Sequence, residues 1–351
     1  MDKSRRDRLR SRGIEGEESV AEQTAKTSTA GVHLSERTIP IPRSISPQAQ
    51  AALAMVRPEN PPFPALDDKA GWRDRIAQMN AGMVAMMREP LMALPVEVTL
   101  EAIAGVPVYV GTPHDFPAAN RDKALVYFHG GGLVLLGGEA VGLFARMEAM
   151  NARCKVYAVD YRNPPDHPYP AAIDDCVAVY RALLDTYPAG RLVISGASGG
   201  GNLAAAVPLK LRDLGVPLPA AIGLFTPEVD LTESGDTFQT NADIDVVLKR
   251  GLPVLNALYA DGADLSHPYL SPLFGDFTKG FPPTFIQTGT RDVFLSNSAR
   301  IHRALRNAGI EAELHVGEAM PHGGFGNAPE DAELRLEFLR FLVRHAGWAM
   351  A

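Results

Sequence analysis

From Ala124 onward the chain repeats one unit: a short β-branched or aromatic run, a turn of small residues, then a stretch with helical spacing. "ALVYF" precedes "EAVGLFARMEAMNARC", "KVYAVDY" precedes "AAIDDCVAVYRALLDTY", and "RLVISG" precedes "GGNLAAAVPLKLRDLG", where Pro208 should kink the helix. "AAIGLFTPEVDL" reads as a further strand, "PPTFIQTG" precedes "SNSARIHRALRNAG", and "EAELHVGEA" precedes the closing amphipathic "DAELRLEFLRFLVRHA". Parallel strands need crossover connections, and helices are the usual crossovers. The alternation therefore predicts an α/β fold whose mostly parallel sheet is covered by helices on both faces.

Ahead of this region, "VEVTLEAIAGVPVYVGTP" alternates apolar and polar residues on both sides of Ala104-Gly105, which predicts an opening hairpin. Earlier still, Trp72, Ile76, Met79, Met83, Met86 and Met87 recur at helical steps, and Pro90 is expected to stop that run. Residues 1–92 and 232–268 fall outside the alternation. Such insertions tend to lie over the carboxyl ends of the strands, where ligands bind. We expect an N-terminal extension and helical cap over 1–92, a catalytic domain over 93–351, and a second cap segment over 232–268, polar and partly helical. The first ~35 residues lack periodicity and apolar content and read as a loosely docked extension.

Charge removes one class of function. A formal charge of −7 argues against a phosphate-tracking surface, so no nucleic-acid partner is expected. The N-terminal arginines are not followed by the ~7–15-residue apolar run of a secretory signal. No stretch approaches about 18 unbroken apolar residues, so no membrane span is predicted and a cytoplasmic location is the default. Cys154 and Cys176 sit in no metal-ligand spacing and read as structural thiols.

The chemistry concentrates in three places. Gly196-Ala197-Ser198-Gly199-Gly200 satisfies G-x-S-x-G between a strand and a helix. In a nucleophile elbow the serine takes strained backbone angles, and the residues two positions away must be small. The following helix points its partial positive end at the reacting centre. A rival exists, because Gly199, Gly201 and Ala204 also fit a dinucleotide fingerprint. That fingerprint normally belongs to the first βα unit, and here two units precede it. The elbow is the better reading.

A serine hydroxyl needs a base. His322, in "EAMPHGGF" after the last strand, fits best: His302 and His345 lie in helical patterns, His315 in a strand, and His33 and His114 before the sheet core. Asp292, in "IQTGTRDVFLSNS", follows the penultimate strand and is the expected orienting carboxylate, although Asp there also caps turns. The third place is His129-Gly130-Gly131-Gly132, after the first strand of the alternation. The N–H groups of Gly130, Gly131 and Gly199 are the expected oxyanion hole, with His129 bracing the loop. No Gly-Lys-Ser/Thr follows, which excludes a P-loop.

With these residues in place, the chain from about Val96 to its end resembles α/β-hydrolases of the bacterial hormone-sensitive-lipase-like esterase group. The likeness rests on "HGGG", "VDYRNPPDHPYPAAIDD", "GASGGGNLA", "TPEVDL", "SPL", "GTRD" and "PHGGF". It implies an α/β-hydrolase fold with an N-terminal helical cap and a serine esterase without cofactor or metal. It also implies a Ser198–Asp292–His322 triad acting on short to medium-chain esters. The tail from Gly289 to Gly323 is similar to monoterpene ε-lactone hydrolases, so a lactone is the alternative small-molecule substrate; a homodimer is left open. Plant gibberellin receptors resemble the same family but bind without hydrolysis, having lost the histidine that is present here. Two departures stand out. The family elbow usually reads GDSAGG or GTSAGG, so Ala197 removes a brace and Gly199 is expected to loosen the third donor. An extra glycine also follows His322. The Met79–Met87 stripe reads either as ordinary packing or as an adaptable acyl pocket.

Overall fold

The computed structural model of the chain describes residue 36 and residues 38–55 and 61–350. The expectation of a loosely docked N-terminal extension lies outside them. Contacts divide the chain into Met1–Pro40 and Ile41–Ala351, and the account below concerns the second unit.

Two helices come first, α1 (Pro47–Ala54) and α2 (Lys69–Met92). Then follow β1 (Val96–Ile103), β2 (Val106–Pro113), β3 (Ala124–Phe128), α3 (Glu139–Ala152), β4 (Lys155–Val159), α4 (Ala171–Leu183), β5 (Leu192–Ala197), α5 (Gly199–Asp213) and β6 (Ala221–Phe225). The chain continues through α6 (Thr237–Thr240), α7 (Pro253–Ala260), β7 (Thr284–Gly289), α8 (Leu295–Asn307), β8 (Ala312–Gly317) and α9 (Pro329–Ala346).

The eight strands form one sheet in the order β1-β2-β4-β3-β5-β6-β7-β8. β2 pairs antiparallel with both β1 and β4, and every later pairing is parallel. Ala104 and Gly105 both have positive φ, as a two-residue type I′ hairpin turn requires. Alternate residues of each strand feed opposite cores. From β3, Ala124, Val126 and Phe128 join the cluster packed by α4, α5 and α8, while Leu125 and Tyr127 join the one packed by α3 and α9. The central strands β3 to β7 are thus buried on both sides, which is why they carry so few polar residues, whereas β1 at the edge is largely exposed.

The strand order reverses at β3: the chain moves outward to β4 and then returns to the other side at β5. Ligands bind in the crevice at such a switch point, between the loops leaving the two strands. Those loops carry His129–Gly132 and Ser198.

Two sequence expectations shift. α2 runs through Pro90 to Met92, because a proline in the exposed last turn forfeits only one hydrogen bond, that to the carbonyl of the exposed Met86. α5 continues through Pro208 to Asp213, as the helical pattern across that proline predicts. β6 ends at Phe225, well short of Leu231, because Thr226 takes a φ of 41° and turns the chain out of the sheet. The segment 232–268 is partly helical, in α6 and α7, as expected.

Candidate active site

Ser198 occupies the corner between β5 and α5 with φ 55° and ψ −122°, a conformation rarely adopted by residues with a Cβ. The surroundings hold it there. Its N–H donates to the Phe225 carbonyl (2.9 Å), and its own carbonyl accepts from Glu228 (3.1 Å) and Asn202 (3.2 Å). The flanking glycines are required by contact: a Cβ on Gly196 would stand 2.1 Å from the Gly200 oxygen, and one on Gly200 2.0 Å from the Phe128 oxygen.

The three residues singled out in the sequence meet at the carboxyl edge of the sheet. His322 Nε2 lies 2.9 Å from Ser198 Oγ, and His322 Nδ1 lies 3.1 Å from Asp292 Oδ1. Asp292 is fully buried; its Oδ1 also accepts from the Phe294 N–H (2.9 Å) and its Oδ2 from the Thr288 hydroxyl (2.7 Å). The Phe294 ring packs edge-on against the imidazole at 4.9 Å. Burial pulls the His322 pKa down, but the hydrogen bond and charge of Asp292, with the charge of Asp245, outweigh it and leave the imidazole above its ordinary value. A carboxylate bonded at Nδ1 fixes the tautomer that leaves Nε2 free to accept the serine proton.

The glycine loop closes over the serine. A Cβ on Gly130 would be 3.4 Å from the Ser198 Cβ, and Gly131 adopts φ 110° with the Leu135 carbonyl where its Cβ would stand. Among the described residues, the N–H groups of Gly130, Gly131 and Gly199 have no protein acceptor. At Gly199 the missing side chain leaves space that the loop itself fills: a Cβ there would lie 2.7 Å from the Leu133 nitrogen. The backbone expected to be loose is thus packed against Gly132 and Leu133.

His129 is fully buried and stacked on Tyr161, with centroids 4.1 Å apart and planes 4° apart, and its Nδ1–H donates to the Gly130 carbonyl (2.8 Å). Burial lowers its pKa to about 4, so it is neutral at physiological pH. The geometry is that of a brace.

Sequence reasoning missed what holds this loop from below. The Tyr161 hydroxyl donates to the His129 carbonyl (2.7 Å), Asn163 donates to the Leu133 carbonyl (2.9 Å), and Asp160 accepts from the Gly138 N–H (2.9 Å). These residues belong to "VDYRNPP", noticed in the sequence only as part of a likeness. A run of Asp, Tyr and Asn straight after a strand was the available signal. Also missed was Glu228, fully buried beneath the elbow. Burial, reinforced by the charges of Glu233 and Asp230, outweighs the hydrogen bond of Asn256 and raises its pKa to about 8.

Of the methionine stripe, Met79 packs beside Trp72, Val134 and Leu255, while Met86 is exposed. Both cysteines are buried and free. Among the described residues no group of three or more His, Cys, Asp or Glu side chains could hold a metal ion, and no helix is long and apolar enough to cross a membrane.

The profile of the alpha/beta hydrolase fold family matches residues 125–326. An acetyl-hydrolase of Streptomyces hygroscopicus is 36% identical over 208 residues, 59% of this chain and 69% of that protein. The crystal structure of esterase E25 superposes with a TM-score of 0.83 at 38% identity, covering 90% of this chain and 99% of that one. An esterase of the bacterial hormone-sensitive lipase family superposes with a TM-score of 0.71 at 29% identity, covering 86% and 99%. The chain belongs to the alpha/beta hydrolase fold family, on its bacterial hormone-sensitive-lipase-like esterase branch.

Proposed function

We propose that this protein is a serine carboxylic ester hydrolase working through an acyl-enzyme. The observation that carries the reading is the continuous line from Ser198 Oγ through the His322 imidazole to the buried Asp292 carboxylate. Ser198 Oγ bonds to the ester carbonyl carbon while its proton passes to His322 Nε2. The carbonyl π pair becomes the oxyanion, held by the N–H groups of Gly130, Gly131 and Gly199. His322 then delivers the proton to the leaving alcohol oxygen as the C–O bond breaks. Water repeats the sequence, its proton taken by His322 and finally returned to Ser198, and the carboxylic acid departs.

Short to medium acyl chains are the proposed substrates, and the apolar surroundings support an acyl group. Leu252 and Leu255 pack against Gly132, next to the proposed donors, and Phe294 covers the imidazole. Trp72 on α2 joins Leu255 in one apolar cluster with Val134 and Leu135. An apolar wall around a few backbone donors suits an acyl chain with one polar carbonyl.

Replacing Ser198 with Ala should abolish turnover of a short p-nitrophenyl ester, and a fluorophosphonate probe should label the parent protein at Ser198 only. Turnover surviving in S198A would refute the assignment. The same variant is the blank for a series graded by acyl length, with an ε-lactone alongside.

A further inference from the structure

We infer that Asp245 is a positioning residue for the reaction: its carboxylate holds the histidine and aspartate loops in register and places a second negative charge against the His322 backbone. The inference rests on the Ser198–His322–Asp292 reading and deepens it.

Asp245 lies on the segment between α6 and α7 and is fully buried. One oxygen, Oδ2, accepts from two backbone N–H groups at once, that of His322 (3.1 Å) and that of Val293, the residue after Asp292 (3.1 Å). The other, Oδ1, accepts from Val247 (2.9 Å) and Leu248 (3.1 Å), which fixes the carboxylate to its own turn. Four N–H donors on one buried carboxylate make a rigid clamp, because each bond is charge-assisted and the two to Val293 and His322 are shielded from solvent. Asn241, one turn earlier, grips the same loop from the opposite polarity: its Nδ2 donates to the carbonyls of Asp292 (2.8 Å) and Thr290 (3.2 Å). The chain between α6 and α7 thus holds the peptide group after Asp292 at both its carbonyl and its N–H, and holds His322 through its own N–H.

The charge matters as well as the bonds. The charged groups acting on His322 are Asp292 and Asp245, and both favour the imidazolium. Those acting on Asp245 are His322, which favours its charged form, and Asp292, which opposes it. Burial places the Asp245 carboxyl above its ordinary value, against the pull of His322 and of the Val247 and Leu248 N–H groups. An imidazolium forms each time Ser198 attacks, so a second carboxylate lowers the energy of that state.

The test is the pH profile of kcat/KM for a p-nitrophenyl ester in the parent, D245N and N241A, with S198A as the blank. In D245N an amide replaces the carboxylate, so one pair of N–H groups faces NH2 and the charge is gone. We expect kcat to fall about 10- to 100-fold, with KM changed by less than about threefold. The acidic limb should move to lower pH by roughly 0.5–1. N241A removes two positioning bonds but leaves the charge, so its kcat should fall while the limb stays in place. D245N with parent kcat and parent limb would overturn the inference, and so would a limb shift in N241A equal to that in D245N. In either case an inactive S198A would leave the triad reading intact, whereas an active S198A would remove that reading itself. If D245N does not fold, hydrogen exchange on the parent decides. The amides of His322 and Val293 should be protected to the level of the core strands, and exchange at the rate of open loops would refute the clamp.

Discussion

Asp292→Asn tests how the triad works, because the structure dictates how the amide must sit. Two N–H groups, those of Phe294 and His322 Nδ1, converge on Oδ1. Among the described residues only the Thr288 hydroxyl meets Oδ2, and a hydroxyl can reverse from donor to acceptor. The asparagine oxygen therefore takes the Oδ1 place and its NH2 faces Thr288. The imidazole keeps its tautomer and orientation; what disappears is the charge. A unit pair with N and O atoms 3.1 Å apart, its charge centres about 4 Å apart, is worth about 4–5 kcal/mol at an effective dielectric near 20. If that stabilisation is realised only when the imidazolium forms, kcat falls roughly 10³- to 10⁴-fold with little change in KM. Because Asp292 raises the His322 pKa, its loss also moves the acidic limb to lower pH. The assay is steady-state hydrolysis of a p-nitrophenyl ester across pH, with folding checked by circular dichroism. A loss of less than about 30-fold, or an unmoved limb, would refute the electrostatic role.

Two further outcomes follow from single residues. Gly131→Ala places a Cβ 2.3 Å from the Leu135 oxygen at φ 110°, so the loop must shift; kcat should fall about 10²- to 10³-fold, the loss of one oxyanion donor, and an active G131A would take Gly131 out of the hole. Glu228 has an ordinary value of 4.5 and about 8 in the folded chain. It holds its proton more tightly when folded, so its contribution is complete below pH 4.5 and is lost as pH rises through about 8. Thermal melts should show E228Q gaining on the parent between about pH 5 and pH 8.5, and a difference that does not vary with pH would contradict the buried, protonated state.

The order of elements was legible in the chain because burial imposes period. Strands covered on both faces read as apolar runs, helices covered on one face read as stripes, and the elbow announces itself because Gly196 and Gly200 tolerate no side chain. Ser198, Asp292 and His322 could be named for the same local reason: each follows a strand, and parallel strands deliver their ends to one edge. Where local preference and tertiary packing diverged, packing prevailed. Pro90 did not end α2, since an exposed last turn tolerates a missing bond, and Thr226 left the sheet although its neighbours read as strand.

The supports of the site were decided only in three dimensions. Asp245 is separated by 77 residues from the His322 amide it binds, and nothing in "NADIDVVL" marks one aspartate as buried and the other as exposed. Tyr161 reaches the His129 carbonyl across 32 residues. Local sequence carries propensity and period, which set the elements and the residues at their ends. The partner of a buried carboxylate is set by which loops the finished sheet brings within 3.1 Å of it, and that distance exists only once the chain has folded.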